Sequence, residues 1–391
     1  MTSPPVKDLI PGETFVSAPG VTSAAPPALS FKKQILFFVI LSVCLLSLAE
    51  VSIRAWAFFF RTSYERYNPA TQRLELVPNV HFKVGQDEFR INSKGFLGRE
   101  FDQQKPEGTF RIISIGDSCT FTNGVWARAY PALLERLLTK DASPKAFEVI
   151  NAGIEGYNSA LARARLADEI LNYNPDMVTV YIGWNDLMKT SPQDTSPSGK
   201  ISILARIKQE SYLFKAYRKL IFFYLRPLLS KPRIHVDKDT AHPFDHYVPV
   251  QYRDNLEGMI KVLKAKRIKV MMFTLSTVVS PEMSATELKK QNVVFPYYAG
   301  AFDVPGLLTL VRAYNGVIHE LSSKYAVPVV DLNAVLNEHD KKKLFWDTMH
   351  PSYLGHEVIA KAIDQRISQI RMDRRQCQLY GWDNLCSAAA R

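Results

Sequence analysis

Five short runs of β-branched and aliphatic residues, separated mostly by stretches of helical periodicity, constrain this chain more than any other feature. The runs are 110–115 (FRIISI), 147–151 (FEVIN), 177–182 (MVTVYI), 268–274 (IKVMMFT) and 327–332 (VPVVDL). Helix candidates lie between them at 130–139, 159–173, 253–266 and 307–325. Strands that are apolar almost throughout have no face to give to water. The alternation therefore predicts an α/β class: a doubly wound, parallel five-stranded sheet with helices on both faces. Sheets of this kind bind ligands beyond the carboxyl ends of their strands, so the chemistry is sought just after each run. With 391 residues, 47% of them hydrophobic, the chain buries enough core without cross-links.

The chain ahead of the first run has a different character. Residues 1–33 are rich in Pro, Ser, Ala and Thr and read as a disordered tail. Lys32 and Lys33 then precede an uncharged stretch at 35–49, and the apolar character resumes after Glu50 and Arg54 as far as Phe60. Residues 35–60 as a helix would extend about 39 Å at ~1.5 Å per residue, enough to cross a bilayer. We expect a single-pass transmembrane anchor over 34–60. A cleaved signal peptide is the rival, although Glu50 and Arg54 make a poor small-residue cleavage site; a buried soluble helix is the other. Lysines on one side and Arg54, Arg61 and Arg66 on the other leave the orientation open. Residues 61–108, with Pro69, Pro78, several glycines and little periodicity, read as a connector packed on a domain that spans 109–370. A tail is expected over 371–391.

The loops after the strands carry the chemistry. Gly116-Asp117-Ser118 follows the first run, and a serine on a tight strand-to-helix turn is a candidate nucleophile. The flanking glycines of a GxSxG elbow are missing. Asn151-Ala152-Gly153-Ile154-Glu155-Gly156-Tyr157 follows the second, and its glycines free backbone N–H groups to act as oxyanion donors. After the third, Gly183-Trp184-Asn185-Asp186 offers an Asn amide for the same purpose, or an Asx turn. After the last, Asp347-Thr348-Met349-His350-Pro351 places a carboxylate and an imidazole on one turn, where both can serve the same serine. Cysteine and histidine spacings resemble no zinc site, and nothing implies a cofactor or metal.

Four such blocks in this order resemble the SGNH, or GDSL-like, hydrolase family over roughly 110–370. The resemblance implies a flavodoxin-like sheet, with Ser118 as nucleophile, His350 as general base and Asp347 as its orienting acid. It implies an oxyanion hole made of the Ser118 and Gly156 N–H groups and the Asn185 amide, with Gly153 as the nearby alternative to Gly156. Cys119 replaces the family's leucine and reads as packing, and Trp184 reads as a wall of the substrate pocket. The implied reaction is serine-ester hydrolysis of O-acyl, above all O-acetyl, groups on cell-envelope glycans through an acyl-serine. An O-acyltransferase acting on a polysaccharide, and a non-enzymatic envelope scaffold, are the alternatives. The same resemblance, with the Cys377 and Cys386 pair, implies an extracytoplasmic catalytic domain; those cysteines read as a local disulfide or as two free thiols.

The net charge of +11 invites a nucleic-acid partner, but residues 200–238 alone hold +8 of it. This stretch lies within an insert at 189–250 that has no counterpart in compact family members. Within it, residues 212–229 place Leu213, Tyr217, Leu220, Ile221, Tyr224, Leu225 and Leu228 on one helical face, with Lys215, Arg218, Lys219 and Arg226 broadly opposite. That pattern fits a helix lying on an anionic membrane surface, or an extra helix packed on the domain. It does not call for nucleic acid.

Overall fold

The computed structural model describes residues 30–59, 64–140, 146–190, 211, 213, 214, 217, 244–295 and 303–386. The expected tail at 1–33 lies almost wholly outside them, and so does most of the basic helix expected at 212–229. The chain divides into two compact units, Met1–Ser52 and Ile53–Arg391. In the first, a helix, Phe31–Phe59, begins and runs on past the unit's end. Its stretch Phe31–Trp56 has a mean hydropathy of 2.5 and none of it is buried, so by length and composition it is able to cross a membrane.

The second unit is built on five parallel strands: β5 (Thr109–Gly116), β6 (Ala146–Gly153), β7 (Met177–Tyr181), β8 (Lys269–Phe273) and β9 (Val329–Val330). They lie in the order β6-β5-β7-β8-β9, a doubly wound arrangement whose connections leave β5 toward β6 and then cross back to β7. That reversal opens a crevice at the carboxyl ends of β5 and β7. All five match the runs in the sequence. β9 is shortest because Pro328 has no N–H to give a ladder, although its carbonyl accepts from Met272 N at 3.0 Å.

Helices Tyr130–Lys140 and Tyr353–Met372 pack against each other on one face of the sheet. Helices Ser159–Asp168, Val250–Ala265 and Val304–Tyr325 pack together on the other. The strands are closed off from water on both sides, and Ile112, Ile113, Met177, Val178 and Met271 are fully buried. Arg111, also fully buried, is tolerated because its guanidinium pairs with Glu148 and donates to the carbonyls of Asp102, Gln103 and Tyr173, these last three at 2.7–3.0 Å.

Two regions are more ordered than the sequence implies. Within 61–108 lie two antiparallel hairpins, β1 (Glu65–Asn68) with β2 (Arg73–Leu76) and β3 (His81–Val84) with β4 (Asp87–Arg90). Leu76, Phe89, Ile91, Phe96 and Phe101 from this segment belong to the same core as the sheet. Leu97 forms a bridge to Asn151 on the outer edge of β6, and the neighbouring Val149 N–H donates to Glu135 at 2.7 Å. Within the expected tail at 371–391 lie helices Arg374–Tyr380 and Asp383–Cys386, and residues 387–391 fall outside the described residues. Buried Trp382 and Leu385 dock them, and a Cys377–Cys386 disulfide links them.

Candidate active site

Ser118 opens a one-turn helix directly after β5. Asp117 caps that helix, its Oδ1 accepting from Cys119 N at 2.9 Å. Gly116 lets the turn close: a Cβ there would collide with the Thr120 side chain and lie 2.7 Å from the Tyr181 carbonyl. Cys119 is buried, its thiol 3.4 Å from the Met349 carbonyl, which agrees with a packing role. This contact also ties the serine turn to the loop that carries His350.

That loop is tightly held. Trp346 N donates to the His350 carbonyl at 3.0 Å, and Phe345 bridges to Pro351. Buried Thr348 fixes it from beneath through Val294 and Thr277, at 2.6–2.9 Å. The loop delivers the imidazole to the serine: Ser118 Oγ lies 2.8 Å from His350 Nε2. His350 Nδ1 lies 2.7 Å from Asp347 Oδ2, while Asp347 Oδ1 accepts from the Met349 and His350 N–H groups at 3.0 Å each. The tautomer that fits has Nδ1 protonated toward the carboxylate and Nε2 bare toward the hydroxyl.

The electrostatics follow from this geometry. Burial works to raise Asp347, but its hydrogen bonds and the His350 charge outweigh burial and hold it below the usual carboxylate range. Burial works to lower His350, but Asp347 first, then Asp117 and Glu155, outweigh it and hold the imidazole above its ordinary value. Asp117, fully buried, is pushed up to about 6 by desolvation.

The second and third loops are stitched to the first. Ile154 N donates to the Gly116 carbonyl at 3.2 Å, and Asn151 Nδ2 to the Thr120 carbonyl at 2.8 Å. Asn151 Oδ1 accepts the Gly153 N–H at 2.9 Å, so that N–H is already committed. Gly156 has φ +74°, nothing within 4 Å of a would-be Cβ, and an N–H with no acceptor among the described residues. Asn185 Nδ2 donates to the Tyr157 carbonyl at 2.9 Å, leaving its second amide hydrogen available. The expectation for Trp184 is corrected: the side chain is fully buried and forms core rather than a pocket wall.

Several participants were not legible from local sequence. Asp186 accepts from Ser159 N at 2.9 Å and Ser159 Oγ at 2.6 Å, bolting the third loop to the helix after the second; desolvation pushes it up to about 6. His356 is buried under the serine helix between Thr122 Oγ1 at 3.0 Å and Tyr130 N at 3.3 Å. Tyr64 reaches Glu155 across 91 positions of sequence. Among the described residues no group of three His, Cys, Asp or Glu side chains is arranged to hold a metal ion.

The model of the GDSL-like lipase/acylhydrolase family matches residues 114–358. An acetylxylan esterase from Geobacillus stearothermophilus is 19% identical over 271 residues, 66% of this chain and 93% of that protein. A crystal structure of an acetylxylan esterase from the same organism covers 66% of this chain and 93% of its own, at 19% identity and a TM-score of 0.40. A structure of an alpha/beta hydrolase enzyme from the metagenome of Lake Arreo, Spain, covers 66% and 94%, at 17% identity and a TM-score of 0.40.

Proposed function

The chain belongs to the GDSL-like lipase/acylhydrolase family, and from that premise we propose a membrane-anchored serine esterase that removes O-acyl, above all O-acetyl, groups from cell-envelope glycans. That it hydrolyses esters follows from the family. The observation that carries the finer reading is the hydrogen-bonded line from Ser118 through His350 to Asp347.

In this mechanism Ser118 Oγ attacks the ester carbonyl as His350 Nε2 takes its proton. The tetrahedral oxyanion is held by the Ser118 and Gly156 N–H groups and the free Asn185 amide hydrogen. Collapse breaks the bond to the alcohol, which leaves with the proton returned by His350, and an acyl-serine remains. Water, deprotonated by the same imidazole, attacks that ester; the acid is released and Ser118 regains its proton. Asp347 keeps the imidazole in the productive tautomer and offsets its transient positive charge.

The acetyl specificity rests on the relatives' named activity, and the envelope setting on the apolar helix Phe31–Phe59 together with the Cys377–Cys386 disulfide, a bond that persists in oxidising compartments. The decisive experiment measures acetate release from acetylated envelope glycans by the wild type and Ser118→Ala. Release abolished by the substitution supports the reading; equal release by both proteins ends it. Transfer of acetate to an added glycan in place of water would move the assignment to acyltransfer. After reduction, labelling of Cys377 and Cys386 in intact cells by a membrane-impermeant thiol reagent is expected; protection from it would reverse the orientation.

A further inference from the structure

Glu155 immediately precedes Gly156 on the second loop, and its carboxylate is half-exposed. Tyr64 Oη donates to Glu155 Oε2 at 2.8 Å. The tyrosine is itself wedged in place, stacked on Phe121 with ring centroids 5.7 Å apart and tilted against Phe89 at 4.9 Å. Phe121 lies on the helix opened by Ser118, so this aromatic stack is anchored to the serine turn. Burial first, and the Glu155 charge second, hold the Tyr64 phenol well above its usual range, so it remains a donor. One carboxylate oxygen is thereby fixed, and the other, Oε1, has no donor among the described residues. The charge of Glu155 also helps, after Asp347 and Asp117, to hold the His350 imidazole above its ordinary value.

We propose that Glu155, positioned by Tyr64, is a substrate-binding carboxylate that accepts a hydrogen bond from a free hydroxyl of the sugar bearing the ester. The proposal rests on the esterase reading and deepens it by assigning how a polyhydroxylated alcohol is recognised. A neutral donor suits the position better than a cation. His350 becomes positively charged as Ser118 attacks, and an ammonium held by Glu155 would oppose that charge. A hydroxyl completes the carboxylate's partners and leaves the charge balance around the imidazole intact.

The test compares kcat/KM for methyl 6-O-acetyl-glucoside, which carries free hydroxyls, with that for phenyl acetate, which carries none, on the pH plateau. Glu155→Ala is expected to lower the ratio of the two values by roughly 10- to 100-fold, the range for a hydrogen bond to a charged group. Tyr64→Phe, which keeps the aromatic stack, is expected to lower the ratio by a smaller factor. An unchanged ratio, or equal losses on both esters, would overturn the proposal, because Glu155 would then act on the imidazole or on the loop alone. A selective loss on acetylcholine instead of the glucoside would overturn it in favour of cation recognition. A wild type inactive on every ester would remove the esterase reading and this inference with it; a wild type active on phenyl acetate with an unchanged ratio removes the inference alone.

Discussion

The side-chain amide of Asn185 donates to the carbonyl oxygen of Tyr157 at 2.9 Å, so the loop after β7 is latched to the loop after β6. The amide is thereby oriented before any substrate arrives, with one hydrogen used in the latch and one left over. Pre-orientation of this kind is what makes an oxyanion donor effective, since no reorganisation is needed as charge develops.

Asn185→Ala is therefore expected to lower kcat by about 10²–10³ while costing folding only about 1 kcal/mol for one lost hydrogen bond. Steady-state kinetics and a thermal melt on the same preparation check both halves. A large fall in melting temperature with kcat intact would contradict the assignment.

The rate should follow deprotonation of His350. Its folded-state value is raised chiefly by Asp347, so the neutral base is lost as pH falls through a point above the ordinary histidine value of about 6.5. The acid limb of kcat/KM is expected there. In Asp347→Asn the limb should move to lower pH and kcat should fall by up to about 10⁴. A limb that stays in place would mean another group sets it.

Glycines in the two loops should respond differently to a methyl group. At Gly116 a Cβ collides with Thr120 and with the Tyr181 backbone, so Gly116→Ala is expected to destabilise the fold by several kcal/mol, on the order of an overpacked core site. At Gly156 the space is open and only the φ of +74° resists, at about 1–2 kcal/mol. Chemical denaturation ranks the two, and the reverse order would contradict this geometry.

Acid sensitivity should have an identifiable contributor. Burial, and secondarily the His350 charge, push His356 down to about 3, so between that value and about 6.5 the unfolded chain binds a proton that the folded one refuses. At this site the unfolded state then holds more protons, so the His356 contribution to stability rises with pH across this window, by up to about 1.4 kcal/mol per unit. Asp117 and Asp186, both pushed up to about 6, have the opposite sign between about 4 and 6, and together they outweigh it there. In His356→Gln the slope of unfolding free energy against pH should be less positive than in the wild type by up to about 1.4 kcal/mol per unit across this window. An identical slope would mean His356 is protonated in the fold.

The sheet and the Asp347–His350 pair were readable because each depends on short-range pattern, whereas Ser118, 232 positions from His350, was joined to the pair only through the family resemblance. Runs such as FRIISI and MVTVYI have no polar face to conceal, and Asp347 and His350 are three positions apart on one turn. Residues 64–101 were not readable, because hairpins of four-residue strands such as ERYN and DEFR carry little intrinsic preference. They are held by docking Phe89, Phe96 and Phe101 into a core supplied by distant sequence. The same distance hid the Tyr64–Glu155 contact. Trp184 misled for a related reason: a bulky residue in a site loop suggests a pocket wall, yet here the chain turns it inward. Residues 212–229, the focus of the positive charge, fall mostly outside the described residues.

Parallel sheets end in border strands whose unpaired peptide groups can recruit a strand from another molecule. Here both borders are blunted. β9 runs for two residues beside a proline. On β6, Val149 gives its N–H to Glu135 while Asn151 is bridged by Leu97. Through Leu97 the segment ahead of β5 shares with Glu135 the cover of the β6 border, as well as filling the core. Removing residues 64–101 should leave a chain that precipitates by edge-to-edge pairing even where its five strands still form.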